Sequence, residues 1–263
     1  MKIKILIPVY NDWQSLNKLL ENINNIVGNN ENQFSIVIVN DASSENIIKS
    51  DINFDNLSSI KIINMCENRG HARCNAAGLK YIFENEEFDY VIPMDGDGED
   101  RPEEIKKFIE FTKYDNPRPI VGERIKRSEG IMFGLFYSIH KLITFIFTGQ
   151  SIKFGNYTCL PKSIVSKMVQ EPATWNSFSG SLANLTKDRK SISSIRGVRY
   201  FGPSKMSYIN LLKHSLSIIS VFRKTVLVRS VIFLAVYLFL MFQHLSVVTL
   251  IPVALIILMI ILI

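Results

Sequence analysis

Four carboxylates fall within six residues at Asp95-Gly96-Asp97-Gly98-Glu99-Asp100. Left unpaired, like charges at that density repel one another. Asp95, Asp97 and Glu99 alternate along a turn flanked by glycines, which lets their oxygens converge on one hard cation. Mg2+ or Mn2+ suits such a site, because it keeps waters and takes further oxygens from a partner's phosphates. The competing reading is a capped helix start ahead of Pro102, and Asp100 suits that role. A triplet of this kind is common by chance. Its weight here comes from the apolar run Tyr90–Met94 directly before it, which reads as a buried strand.

The elements that must position this turn follow from the periodicity. Lys4–Val9 reads as a strand that closes into Tyr10-Asn11, after which Asp12 caps a helix with Leu16, Leu19, Leu20 and Ile23 on one face. Phe34–Val39 is a second strand, stopped by Asn40-Asp41-Ala42-Ser43, and Ile60–Ile63 is a weaker third. His71–Phe83 and Pro102–Tyr114 read as helices, the latter with Pro in its first turn. Strands alternating with helices imply an α/β domain with a mostly parallel sheet and helices on both faces. Ligands in such sheets bind beyond the carboxyl ends of the strands, where Asn11, Asp41 and Asp95–Glu99 all fall.

Past Val121 the pattern changes. Ile131–Phe147 and Tyr208–Phe222 are apolar or amphipathic helix candidates, each suited to a core or to a membrane interface, and the second is placed at the interface. From Thr225 to Ile263 the only formal charge is Arg229. Two stretches there, 226–242 and 245–263, are each about long enough to cross ~30 Å of hydrocarbon, with Gln243 and His244 between them. The expected organisation is a domain over 1–205, an amphipathic juxtamembrane helix over 206–224 and a transmembrane region over 225–263.

Charge separates the halves. Residues 1–100 carry 8 Lys/Arg against 16 Asp/Glu, and residues 101–263 carry 22 against 8. A basic half beside a membrane segment suits anionic lipid head groups and phosphates, and no aromatic-basic motif points to nucleic acid. Lys213, Arg223, Lys224 and Arg229 flank the first span as the positive-inside tendency requires. The N-terminal apolar run is too short for a signal peptide, and three cysteines without a CxxC suit a reducing compartment. The expected location is the inner (cytoplasmic) membrane, with the soluble domain facing the cytoplasm.

With these pieces in order, the chain resembles the family 2 glycosyltransferases of GT-A (Rossmann-like) fold, in particular the polyprenyl-phosphate group that includes dolichyl-phosphate mannosyltransferase. The matching segments are Ile-Pro-Val-Tyr-Asn at 7–11, Val-Asn-Asp-Ala-Ser at 39–43 and Asn68-Arg69-Gly70 with Ala72-Arg73. Met-Asp-Gly-Asp at 94–97, Val-Gly-Glu-Arg at 121–124 and the stretch Arg199–Met206 complete the set. The resemblance implies a nucleotide-diphospho-sugar donor, UDP- or GDP-linked, in a pocket lined by Pro8, Tyr10, Asn11, Gly70 and Arg73, with Asp41 accepting from the base. It implies Asp95 near ribose and metal, Asp97 ligating the metal and Glu99 within reach of it. Arg124, Arg199, Ser204 and Lys205 are expected at the donor diphosphate or acceptor phosphate, and Asp95, Asp97 and Arg124 form the expected catalytic set.

One departure bears on the acceptor. The lipid-phosphate relatives commonly carry Gly-Asp-Phe-Arg where this chain reads Gly155-Asn156-Tyr157-Thr158. An amide is no general base, and a phosphate acceptor needs none. Polyprenyl phosphate is therefore the expected acceptor, with inversion at the anomeric carbon. Two alternatives stand beside it: a transferase extending a lipid-linked or cell-surface glycan at a sugar hydroxyl, and a non-enzymatic membrane-anchored partner of another transferase. A homo-oligomer is also possible on this reading.

Overall fold

The structure, a computed structural model, describes residues 1–28, 30–45, 53–113, 117–126, 131–202 and 208–262. Two units are distinguished, one comprising Met1–Ser128 with Lys153–Lys205 and the other Glu129–Ile152 with Met206–Ile263.

The first unit is built on a seven-stranded sheet in the order β3-β2-β1-β4-β6-β5-β7. Its strands are β1 (Lys2–Val9), β2 (Gln33–Asn40), β3 (Ser59–Asn64), β4 (Tyr90–Pro93), β5 (Ile120–Lys126), β6 (Phe154–Pro161) and β7 (Lys190–Ile195). In β1 and β2 every residue after the first is buried. These strands are covered on both faces, so their sequences are mostly apolar, broken only by buried Lys4 in β1 and Ser35 and Asn40 in β2 after each first residue. β1 pairs in parallel with β2 and β4, and β2 with β3. β6 alone runs against its neighbours β4 and β5, while β5 and β7 are parallel. The mostly parallel α/β sheet expected from the periodicity is therefore present, with one reversed strand inserted next to β4.

Helices α1 (Trp13–Val27), α2 (His71–Asn85), α3 (Ile105–Thr112), α5 (Lys162–Gln170) and α6 (Phe178–Leu185) accompany the sheet. The predicted apolar stripe of α1 is buried at Leu16, Leu19, Leu20 and Ile23. At ~1.5–3 kcal/mol for each fully buried aliphatic side chain, that stripe is enough to fix the helix on the sheet. Pro102 opens a short 3₁₀ turn, Pro102–Glu104, before α3 begins. The largest buried side chains, among them Trp13, Phe34, Phe108 and Tyr157, fill the same unit.

The second unit comprises α4 (Ile131–Thr148), α7 (Tyr208–Val221), α8 (Arg223–Met241) and α9 (Val247–Leu262). Phe147 and Phe233 meet edge to face with ring centroids 5.8 Å apart. Arg229 donates to the carbonyl of Ile146 at 2.9 Å, so the charge within α8's apolar stretch meets the carbonyl end of α4. A 3₁₀ turn at Phe242–His244 reverses the chain, and the Tyr237 hydroxyl donates to Thr249 O at 2.8 Å between α8 and α9. Among the described residues one helical run, Arg223–His244, has the length and composition to cross a membrane. α9, at 16 residues with Pro252 inside, is shorter than the span expected there. At ~1.5 Å per residue it reaches about 24 Å, against ~30 Å of hydrocarbon.

Candidate active site

The carboxyl ends of β1, β2 and β4 carry the polar groups, and each loop is shaped by its own side chains. Asn11 and Ala42, directly after β1 and near the end of β2, adopt left-handed backbone at φ 47° and 55°. The Asn11 amide bridges to the second loop, its Nδ2 donating to Ser44 Oγ at 3.0 Å and its Oδ1 accepting from Glu45 N at 3.2 Å. Ser43 Oγ accepts from Asn11 N at 3.0 Å. Asp41 is buried and accepts two backbone bonds, from Arg69 N at 2.8 Å and Gly70 N at 2.9 Å. It thus fixes the loop that starts α2. Pro8 is buried in β1, Tyr10 is exposed beyond it, and Arg73 Nη1 donates back to Arg69 O at 3.3 Å.

The acidic turn after β4 is folded on itself. Asp100 Oδ2 accepts from Asp95 N at 3.0 Å, and Asp97 Oδ1 accepts from Glu99 N at 3.0 Å. Gly98 takes φ +89°, and a Cβ there would stand 2.6 Å from the Tyr200 ring. Against the turn lies a strap, residues 196–200, leading out of β7. Gly197 N donates to Glu99 O at 2.7 Å and Tyr200 N to Asp97 O at 2.9 Å, so the strap pairs with the turn almost as a strand would. The strap's origin is held by buried Glu104, which accepts from Ser194 Oγ at 2.6 Å and Ile195 N at 3.1 Å. Its far end is held by Tyr200, whose hydroxyl accepts from Asn22 Nδ2 at 2.8 Å.

Two arginines on the strap meet the acids. Arg199 Nη1 donates to Asp97 Oδ2 at 2.6 Å, and its Nη2 to Asp12 Oδ2 at 2.8 Å. Arg196 pairs with Glu99. Arg124, from β5, stands 3.7 Å from Asp100 Oδ1. His71, the first residue of α2, places Nε2 2.9 Å from Asp95 Oδ1. Asp12 is a correction to the sequence reading. It stands at the helix start but makes no capping bond, because its carboxylate turns to Arg199 instead. Asp100 likewise braces the turn's own backbone and caps no helix.

These pairings set the electrostatics. Burial works against ionisation of Asp95, yet the adjacent His71 ring, helped by Arg124 and Arg196, holds its carboxyl well below the usual range. Asp97 goes the other way, pushed up to about 6 by burial and then by the Asp95 charge, although Arg199 opposes the shift. Asp100 is pushed up to about 7 by burial and by Asp95. The turn therefore holds more negative charge than its arginines neutralise. Among the described residues no three acidic, His or Cys side chains converge into a ready cation cage.

The site thus brings together Asp95, Asp97, Glu99, Arg124 and Arg199 of the residues expected from sequence. Asn11, Asp41, Gly70 and Arg73 shape the neighbouring loops, and Ser204 and Lys205 lie outside the described residues. Asp12, His71 and Arg196 are additions. The signal that would have found Arg196 is its spacing: Arg-x-x-Arg around a glycine matches the acids at Asp97 and Glu99 across the strap.

Comparison with known proteins places the family and the fold. Residues 4–164 match the model of "Glycosyl transferase family 2". The chain is 30% identical over 222 residues to the undecaprenyl-phosphate 4-deoxy-4-formamido-L-arabinose transferase of Proteus mirabilis, covering 80% of this chain and 64% of that protein. The chain thus spans less than two thirds of that relative's length. A Mycobacterium tuberculosis glucosyl-3-phosphoglycerate synthase, solved with Mn2+, UDP and phosphoglyceric acid, shares the fold at TM-score 0.61 and 9% identity, over 86% of this chain and 78% of that one. A mannosyltransferase from Pyrobaculum calidifontis, solved with GDP-Man and Mn2+, aligns at TM-score 0.51 and 12% identity, over 96% of this chain and 78% of its own. With the match covering more than half of its length, and a GT-A-like sheet beneath the acidic turn, the chain belongs to glycosyl transferase family 2.

Proposed function

We propose that the protein transfers a sugar from a nucleotide-diphospho-sugar to a polyprenyl phosphate at a membrane, with inversion at the anomeric carbon. The observation that carries this reading is the acidic turn beyond β4, whose carboxylates are matched by arginines from β5 and the strap. Acids for a cation and guanidinium forks for phosphate oxygens are the two parts that diphosphate departure requires.

The donor set fits a divalent cation. Asp95 and Asp97 supply hard oxygens on a glycine-flanked turn, and the raised Asp97 carboxyl marks negative charge that a second cation would relieve. With no complete protein cage, the remaining coordination falls to water and to donor phosphates, as Mg2+ and Mn2+ favour. Asp95 and Asp97 would hold the ion; Glu99 joins only by leaving Arg196. What Mg2+ or Mn2+ supplies there is charge neutralisation on the departing nucleotide diphosphate. In the same step Arg199 exchanges Asp97 for a phosphate oxygen, while Asp12 keeps its guanidinium in the crevice. Arg124 adds positive charge behind Asp100. The nucleotide lies along Pro8–Asn11 and Asp41, whose loops are already braced.

The acceptor assignment rests on Asn156. An amide there offers no base to a sugar hydroxyl, whereas a phosphate monoester is already anionic near neutral pH. The Proteus mirabilis relative, named for undecaprenyl phosphate, supports the same choice. The apolar run Arg223–His244 suits an enzyme whose acceptor sits in a bilayer, and the flanking Arg and Lys favour a cytoplasmic face for the soluble unit. A screen of labelled UDP- and GDP-sugars on membranes holding the protein, with either polyprenyl phosphate or lipid-linked sugars added, tests both halves. Label is expected in extractable lipid only with polyprenyl phosphate. Transfer confined to sugar hydroxyls would overturn the acceptor, and no transfer from any donor would overturn the reaction.

A further inference from the structure

His71 is held from two sides by groups distant in sequence. Its Nε2 stands 2.9 Å from Asp95 Oδ1, and its Nδ1 lies 3.2 Å from Asn156 Nδ2 on β6. A third contact comes from its own helix, where buried Asn75 donates to His71 O at 3.2 Å and fixes the first turn of α2. The ring therefore bridges α2, the end of β4 and β6 at the mouth of the acidic turn.

The chemistry of each atom follows from its partner. Of the two ring nitrogens, Nε2 stands at ion-pair distance from Asp95 Oδ1, so it is the nitrogen placed to carry a proton toward the carboxylate. Nδ1 is then left as an acceptor, and the Asn156 amide N–H meets it. An amide can also turn over and offer its oxygen to an Nδ1–H, whereas an aspartate at 156 would serve only the protonated nitrogen. Asn156 is thus the partner that accommodates a histidine at 71 in either form. The exchange of acid for amide at 156 has a structural reason on this chain besides its effect on the acceptor.

We infer that His71 is a positioning residue for Asp95: braced by Asn156, it sets the direction of the Asp95 carboxylate and through it the affinity of the turn for a divalent cation. The inference rests on the proposed reading that Asp95 faces a metal-bound donor. A histidine that orients an acidic ligand occupies the outer shell, where loss of one hydrogen bond costs ~10- to 100-fold in metal affinity. It does so without touching the donor, so nucleotide contacts made elsewhere in the crevice are unaffected.

The test uses the full chain in detergent, with Mn2+ uptake followed by electron paramagnetic resonance in the presence of UDP or GDP. Binding of each nucleotide without metal is followed by calorimetry. His71→Ala is expected to weaken Mn2+ uptake by ~10-fold or more, while metal-free nucleotide affinity moves less than about twofold. His71→Gln, whose Nε2 amide can still donate to Asp95, should recover most of the loss. Equal uptake by His71→Ala and the native chain would overturn the inference. So would His71→Gln binding no better than His71→Ala when both melt like the native protein, since that pattern belongs to the ring's bulk. If the native chain binds Mn2+ with neither nucleotide, the functional reading itself falls, and this inference with it.

Discussion

The two sides of the crevice are held together differently. On the side of β1 and β2, Asn11, Ser43 and Asp41 are satisfied by neighbouring backbone and by one another, and the acid among them, Asp41, accepts from two N–H groups. On the side of β4, Asp97 and Glu99 depend on Arg199 and Arg196, which arrive 102 and 97 residues later in the chain. The first side is finished by short-range bonds and serves as a rigid wall. The second is held by ion pairs, which leave its acids open to another cationic partner. On the proposed function, the site binds and releases a metal and a diphosphate, and that task suits one wall of each kind.

That contrast can be broken on either side. The largest effect is expected at the exchangeable wall: Asp97→Ala, or chelation of the divalent cation, should lower sugar transfer by at least about a hundredfold, the order of loss seen when one group that stabilises developing charge is removed. The chain should stay folded, since Arg199 keeps Asp12 as a partner. Activity retained in both experiments would remove the metal from the mechanism.

At the rigid wall the loss should appear as stability. Asp41→Ala removes the buried acceptor of two half-exposed N–H groups and is expected to cost about 1–2 kcal/mol by denaturant titration of the solubilised chain, with Asp41→Asn intermediate. Of similar size are the effects at the glycines of the two walls. Gly98→Ala meets both a positive φ and the Tyr200 ring, while Gly70, at φ +85°, has open space around its Cβ position. Gly70, with ψ 163°, occupies backbone that is essentially reserved for glycine, so Ala at 70 should cost about 1–3 kcal/mol from conformation alone, and Ala at 98 adds a clash with the ring. Equal melting temperatures for the two variants would contradict the strap's contact with the turn.

A pH series sharpens the comparison with the smallest shift. Asp97 and Asp100 have folded pKa values of about 6 and about 7, above the ordinary 3.8. A raised carboxyl binds its proton more tightly when folded, so it favours the native state at low pH and loses that contribution as pH climbs through 6 to 7. His71, also raised, because Asp95 outweighs its burial, acts in the same direction. The metal-free chain should therefore melt lower at pH 8 than at pH 5.5. Added Mn2+ should narrow the gap, and a melting temperature that rises with pH would refute the charge excess.

The parallel half of the fold was legible because β1, β2 and β4 are buried on both faces and read as predominantly apolar runs. β7, Lys-Ser-Ile-Ser-Ser-Ile, carries no such signal, since its neighbours and Glu104 settle its serines. The reversed strand β6 is equally silent: direction is decided by pairing, which periodicity does not encode. The acids of the site were visible as a local cluster. Of their partners, Arg124 and Arg199 came only through the family resemblance, and Arg196, His71 and Asp12 were missed, because these residues meet the acids only after folding. Asp12 shows the hazard directly: at the first position before a helix it has the look of a cap, and tertiary charge claims it instead.

The strap also has a consequence in time. Polypeptide emerges at ~5–20 residues per second, so roughly 5–20 s separate synthesis of the acidic turn from synthesis of the arginines that neutralise it. During that interval β1 to β4 can pair, but the turn stands with its carboxylates facing solvent and its backbone carbonyls at Asp97 and Glu99 unmatched. The acidic turn is thus among the last parts of its unit to mature, and a chain interrupted after β7 would keep the sheet but lack the strap's bonds to the turn.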